Sequence, residues 1–160
     1  MLDIRVGYGY DVHRLEAGLP LTIGGVKIPY EKGWVAHSDG DVLLHAICDA
    51  ILGAAAMRDI GYHFPDTGKE FEGIDSRILL KRCADLIAQK GYRISNIDST
   101  IAMQRPKLKD LIPQMQHEIA QTIGLDDDRV SVKATTTEHL SFEGDGTGAS
   151  AYAVVLIIKE

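Results

Sequence analysis

The chain has 160 residues, 45% of them hydrophobic, with 17 Lys plus Arg against 23 Asp plus Glu and a formal net charge of −6. That length suits one domain over residues 1–160, and the apolar fraction is enough for a sizeable core. With no dense basic block, a nucleic-acid partner is not expected, because neutralising phosphates needs a concentrated cationic footprint. No apolar run approaches the ~18 residues of a membrane span, and the opening Met-Leu-Asp-Ile-Arg lacks a charged-then-apolar signal, so a cytoplasmic protein away from membranes is expected.

Residues 3–14 read as a first strand, and Leu21 to Pro29 as a hairpin turned at Gly24-Gly25, a pair that permits positive φ. Tyr30 to His37 reads as a loop, with Ser38 or Asp39 placed to cap the helix that follows. From Asp41 to Leu52 apolar residues cover most of the helix circumference, the mark of a buried helix, and only Asp41, His45 and Asp49 interrupt them. Arg58 to Asp75 is non-periodic and rich in Gly, Asp and Pro, and a segment of that length in a compact domain suggests a functional loop that closes over a site.

A second helix follows, capped by Asp75, with Leu79, Cys83, Leu86 and Ile87 on one face and a stop at Gly91. Tyr92 to Ala102 reads as a strand, Lys109 to Ile123 as a helix with Pro113 in or near its first turn, Arg129 to Ala134 as an alternating strand, and Ser150 to Ile158 as an apolar central strand. Cys48 and Cys83 occupy apolar helical positions and read as small core residues in a reducing compartment. Strands and helices interleave without strict βαβ order, which points to the α/β (α+β) class: a mixed β-sheet with helices packed on one face. The other sheet face then needs cover, and self-association is the natural source.

Asp11 and His13 are two apart on a strand and share a face, so they can hold one ion together and leave room for a third ligand. His45 is the candidate. Two imidazoles and a carboxylate suit Zn²⁺, and three protein ligands leave a fourth position open for chemistry. Asp-x-His is short enough to recur by chance; what strengthens it is that Asp41, His45 and Asp49, four apart on one helix face, look more like a lined site than a solvated stripe. Ala134-Thr-Thr-Thr-Glu138 is either ordinary β-propensity or a set of hydroxyls, amides and a carboxylate able to cradle a phosphate and its hard cation. An acidic protein can receive a phosphorylated small molecule if a metal supplies local positive charge.

Taken together, the motifs resemble the 2-C-methyl-D-erythritol 2,4-cyclodiphosphate synthase family across nearly the whole chain. The resemblance rests on Gly9-Tyr-Asp-Val-His13, Ile23-Gly-Gly, Ile28-Pro-Tyr-Glu-Lys-Gly33, Ala36-His-Ser-Asp-Gly-Asp41 with His45, Leu52-Gly-Ala-Ala-Ala56, Asp59-Ile-Gly61, Phe64-Pro-Asp-Thr67, Pro106-Lys107, Ile112-Pro-Gln-Met115 and Val132-Lys-Ala-Thr-Thr-Thr-Glu138. It implies that a cytidine diphosphate ester carrying a 2-phosphate is closed to a cyclic diphosphate with release of CMP. It also implies that Asp11, His13 and His45 hold Zn²⁺, and that Glu138 holds Mg²⁺ or Mn²⁺ bridging the substrate phosphates. His37 and Thr136 are then the catalytic pair that polarises the reacting phosphates. Asp11, His13, Ser38, Asp59, Ile60, Gly61, Phe64, Pro65, Asp66, Thr67 and Phe142 would face the substrate. Pro106, Lys107, Leu108, Thr135, Thr137 and Glu138 would take its cytidine diphosphate end. A homotrimer with sites between subunits and sheets facing the axis is implied too.

The resemblance breaks after Glu138, where His139, Ser141 and Gly144-Asp-Gly146 stand and Asp145 replaces the arginine expected in the family. That arginine helps hold a diphosphate on the trimer axis, so the resemblance predicts weak or absent isoprenoid-diphosphate binding there. Two rival readings use the same residues: a metal-dependent phosphohydrolase that activates water, and a non-catalytic trimeric binding protein.

Overall fold

β1 (Asp3–Ala17) is the organising strand: it pairs antiparallel with β7 (Gly148–Lys159) from Asp3↔Lys159 to Arg14↔Gly148, and with β4 (Lys32–Val35) at its far end. The structure is a computed structural model and describes residues 1–160. β7 also pairs antiparallel with β5 (Arg93–Ala102), and β5 pairs parallel with β6 (Val130–Thr135). The five-stranded mixed sheet therefore runs β4-β1-β7-β5-β6, with β2 (Leu21–Ile23) and β3 (Val26–Ile28) forming a separate hairpin. Against the sheet lie α1 (Val42–Ala54), α3 (Ser76–Gln89) and α4 (Ile112–Ile123), while α2 (Ile60–His63) and α5 (Ser141–Asp145) are single turns. The expected mixed sheet with helices on one face is what the chain forms.

Alternation along β1 separates two faces. Gly7, Gly9, Asp11, His13 and Leu15 point toward α1, whereas Ile4, Val6, Tyr8, Tyr10 and Val12 point away and are exposed. On β7 the inner neighbours Ala149, Ala151 and Ala153 are buried, and Tyr152 and Val154 are exposed. Glycine and alanine thus make a low floor under α1. A Cβ on Gly9 would lie 1.8 Å from the Ala46 carbonyl oxygen, and one on Gly7 would lie 1.9 Å from that of Ala50. Only glycine lets this helix sit so close. Around it Leu43, Leu44, Ile47, Ile51 and Leu52 are fully buried, each contributing about 1.5–3 kcal/mol by leaving water.

Several boundaries differ from the sequence expectation. The cap of α1 is Asp41, not Ser38 or Asp39: its carboxylate accepts from Leu44 N at 3.1 Å and also from Gly24 N and Gly25 N at 2.9 and 2.7 Å. Asp41 therefore clamps the β2–β3 hairpin to the helix start and does not line a site. Burial pushes its carboxyl up to about 7, against three amide donors that favour the ion. Asp49 likewise faces inward to the chain, accepting Ile60 N at 2.8 Å. Tyr30 to His37 contains β4, which the Gly and Trp content disguised. The segment 58–75 is not structureless: α2 and a 3₁₀ turn at Lys69–Phe71 occupy it, and Gly73 N donates to His37 O while Asp39 N donates to Ile74 O. A 3₁₀ turn at Lys109–Leu111 precedes α4, so Pro113 falls at the helix start as expected.

Gly9→Ala is expected to force α1 off the sheet and cost at least about 3 kcal/mol of stability, the upper end of overpacking penalties, because the obstacle is backbone and cannot rotate away. Urea unfolding checks this; an unchanged midpoint would contradict the close approach.

Candidate functional site

Where the small floor ends, β1 turns two polar side chains toward α1. Asp11 Oδ2 lies 3.0 Å from His45 Nδ1 and 3.2 Å from His13 Nε2, and the two ring nitrogens are 3.3 Å apart. A tetrahedral Zn²⁺ site with bonds of about 2.0–2.1 Å has ligand-to-ligand edges of about 3.3 Å. The three atoms thus form a triangle of the size of one face of that tetrahedron. Together they are a cluster able to hold a metal ion, with one N/O donor from each residue. His45 is 5% exposed and its ring stands perpendicular to that of His13.

The two imidazoles differ in proton affinity. Burial pushes His13 below its ordinary value, against the pull of Asp11. Burial would lower His45 as well, but its hydrogen bond to Asp11 and the nearby carboxylates outweigh that and leave it raised. His45 Nε2 faces Ser76 Oγ at 2.9 Å and Ser38 Oγ at 3.3 Å.

A cavity of about 420 Å³ opens beside the triad. Asp11, His13, His37, Ser38, His45, Ile60, Gly61, Phe64 and Asp66 line it, so most of the residues expected at the metal and at one substrate end do converge. Its lining contains no Lys or Arg. His37 is engaged by the opposite wall, its Nε2 donating to Gly68 O at 2.8 Å. Asp59 lies just outside the lining as the cap of α2, accepting Tyr62 N at 3.2 Å; Pro65 and Thr67 are on the same segment without lining the cavity. The cavity also has walls the sequence reading missed, Phe71 and Leu79.

Pro106, Lys107, Leu108, Thr135 and Thr136 line a different cavity of about 300 Å³ at the ends of β5 and β6. Thr137 and Glu138 follow it. Glu138, His139 and Ser141 all adopt left-handed backbone, with φ of 53°, 62° and 64°. Such residues cost energy and concentrate at functional turns. The turn packs on Gly144, where a Cβ would lie 2.2 Å from the His139 carbonyl carbon. Phe142 borders a third cavity with Val12, His13 and Arg14. Glu138 is exposed and does not join the Asp11–His13–His45 cluster within one chain.

The model of the YgbB family matches residues 4–158. The 2-C-methyl-D-erythritol 2,4-cyclodiphosphate synthase of Bacteroides thetaiotaomicron is 58% identical over 159 residues, covering 99% of this chain and 100% of that protein. That of Geobacter sulfurreducens is 57% identical over 154 residues, 96% of this chain and 98% of that protein. A solved 2C-methyl-D-erythritol-2,4-cyclodiphosphate synthase in a CDP-bound form superposes with a TM-score of 0.88 at 36% identity, covering 96% of this chain and 99% of that one. The bifunctional IspDF from Campylobacter jejuni superposes with a TM-score of 0.96 at 44% identity; the present chain is covered in full and spans 43% of that longer chain.

Metal-free protein titrated with Zn²⁺ to a hundredfold its Kd is expected to gain about 2.7 kcal/mol of unfolding free energy. His45→Ala is expected to gain none. Thermal and denaturant unfolding with and without the ion check both; equal gains in the two proteins would remove His45 from the site.

Proposed function

The chain belongs to the YgbB family, and from that premise we infer that it is an enzyme of isoprenoid biosynthesis that forms 2-C-methyl-D-erythritol 2,4-cyclodiphosphate. The substrate is 4-diphosphocytidyl-2-C-methyl-D-erythritol 2-phosphate. Its 2-phosphate oxygen attacks the β-phosphorus, the bond from that phosphorus to the bridging oxygen breaks, and CMP leaves with the bridging oxygen. One observation carries the reading: a cavity offered to phosphates has two carboxylates, three imidazoles and neither Lys nor Arg in its lining. Such a pocket accepts an anion only with a cation in place, and the Asp11, His13, His45 triangle fits one.

The attacking group is already an anion, so no strong base is needed. The barrier lies in the repulsion of two phosphates and in folding a flexible chain into an in-line pose. Zn²⁺ held by Asp11, His13 and His45, with Mg²⁺ or Mn²⁺ held by Glu138, would supply charge neutralisation to the phosphates. His37 and Thr136 polarise the reacting phosphates. Ser38, Ile60, Gly61, Phe64 and Asp66 hold the erythritol end, Asp59, Pro65 and Thr67 set the segment that carries them, and Phe71 and Leu79 add apolar wall that keeps water from it. Pro106, Lys107, Leu108 and Thr135 to Thr137 receive the cytidine end.

Within one chain the metal cavity and the Thr135–Thr136 cavity are separate, which supports a site completed by a neighbour. The exposed stripe Ile4, Val6, Tyr8, Tyr10, Val12, with Tyr152 and Val154 beside it in register, is the face such a neighbour covers. A homotrimer, as the family resemblance implies, would cover this face and complete the site. Asp145 is exposed, and its hydrogen bonds with Thr147 hold its carboxyl below the usual range, so it stays anionic and disfavours a diphosphate at the trimer centre.

Phosphorus NMR of the reaction is expected to show CMP and a cyclic diphosphate, both absent when a chelator is present. CMP with a linear product would instead indicate a phosphohydrolase, and no turnover a binding protein. Glu138→Gln is expected to reduce kcat by at least ~100-fold, as loss of one charge-stabilising group does elsewhere; an unchanged kcat would contradict its role. In light scattering, the wild type is expected as a trimer and Tyr8→Glu as an inactive monomer; a monomeric, active wild type would contradict the shared site.

A further inference from the structure

Behind the metal triad, His45 is held by Ser76 and, through it, Asp39, neither of which lines the cavity. Ser76 Oγ lies 2.9 Å from His45 Nε2, and the Ser76 hydroxyl donates to Asp39 Oδ1. A serine hydroxyl has one proton and two lone pairs. With its proton directed at Asp39, Ser76 meets the imidazole only as an acceptor. Nε2 must then carry a ring hydrogen; without an ion the Asp11 carboxylate draws a competing hydrogen to Nδ1, and in the neutral ring it is the Ser76 acceptor that holds the single hydrogen on Nε2 and leaves the lone pair on Nδ1. Nδ1 is the atom that faces Asp11 and His13.

The relay is itself fixed. Asp39 accepts from Ser76 N at 3.0 Å and from Asp41 N at 3.1 Å, and its own N–H donates to Ile74 O. Ser76 is the first residue of α3 and has no exposed surface, so bulk water cannot take over its part. Ser38 is the competing hydroxyl, but it is farther from Nε2, at 3.3 Å, and accepts from Gly40 N. Its proton stays free for a ligand in the cavity.

We propose that Ser76, anchored by Asp39, is a positioning residue that selects the Nε2–H tautomer of His45 and so aims Nδ1 at the ion shared with Asp11 and His13. This rests on the metal reading given above. The opposite tautomer would present an N–H to the ion and remove one of three ligands, so the hydroxyl governs affinity without contacting the metal. It also makes the start of α3 a working part of a site otherwise built from β1 and α1.

The test compares Ser76→Ala with Ser38→Ala, each first shown by melting to be folded. Zn²⁺ affinity is measured by competition with a chelating dye, and the ring tautomer by nitrogen-15 NMR of metal-free protein at a pH where His45 is neutral. Ser76→Ala is expected to weaken Zn²⁺ binding ~10–100-fold, the usual effect of losing a partner to a ligating histidine. Its His45 is expected to change from Nε2–H alone to a mixture of tautomers. Ser38→Ala is expected to keep both properties near wild type. The proposal is overturned if Ser76→Ala keeps the wild-type tautomer and affinity, or if Ser38→Ala produces the change instead. Failure of the wild type to take up any ion overturns the metal reading, and the ring spectra then decide separately whether Ser76 sets the tautomer.

Discussion

The whole site depends on how closely α1 lies on β1. Backbone oxygens of Ala46 and Ala50 occupy the space where Gly9 and Gly7 would carry side chains, and Ala149, Ala151 and Ala153 on β7 continue the low floor. A larger residue at either glycine would push the helix backbone away and carry His45 Nδ1 out of ligand distance. At the end of that floor β1 places Asp11 and His13, whose cross-strand neighbours are Ala151 and Ala149, and α1 brings His45 over them. Three donor atoms then meet at 3.0–3.3 Å without any of them being forced there by its own loop. The precision belongs to rigid elements, which is how a site keeps its geometry through a reaction.

Short acids do most of the joining around this contact. Asp41 clamps the β2–β3 hairpin to α1, Asp39 ties the start of α3 to the loop before α1, Asp49 takes the first amide of α2, and Asp59 caps it. Each uses its carboxylate on backbone N–H groups, so Asp41, Asp39 and Asp49 cost less to bury than their charges alone suggest. Asp11 first, with Asp41 and Asp39 behind it, raises the proton affinity of His45 and favours a cation beside it. That electrostatic setting explains how a chain of net charge −6 can handle an anionic substrate: the attraction is local and depends on an ion.

The sequence made the metal triad legible because alternation puts Asp11 and His13 on one face of β1, and His45 is one of the few polar residues in an otherwise apolar α1. The small floor was visible as Gly7, Gly9 and the alanines, but its meaning required the helix to be laid across the strand. Asp39 and Ser76 were not legible as partners: they are 37 residues apart and join only where two helix starts meet. Asp41 and Asp49 misled for the opposite reason, since their helical spacing with His45 resembles a lined face while loop amides claim both carboxylates. Similarly, β4 lacked an alternating pattern because the consecutive Gly33 and Trp34 are both buried, one packed against backbone and the other bonded to Thr22 O. The second cavity was read from family resemblance, and its separation from the first within one chain had no local signature.

Crystals grown without chelator and measured at the zinc absorption edge test the central claim most directly. The account predicts one anomalous peak at about 2.0–2.2 Å from each of Asp11 Oδ2, His13 Nε2 and His45 Nδ1, the usual range for such bonds. Those three side chains turned apart, with zinc bound elsewhere or nowhere in the protein, would contradict it.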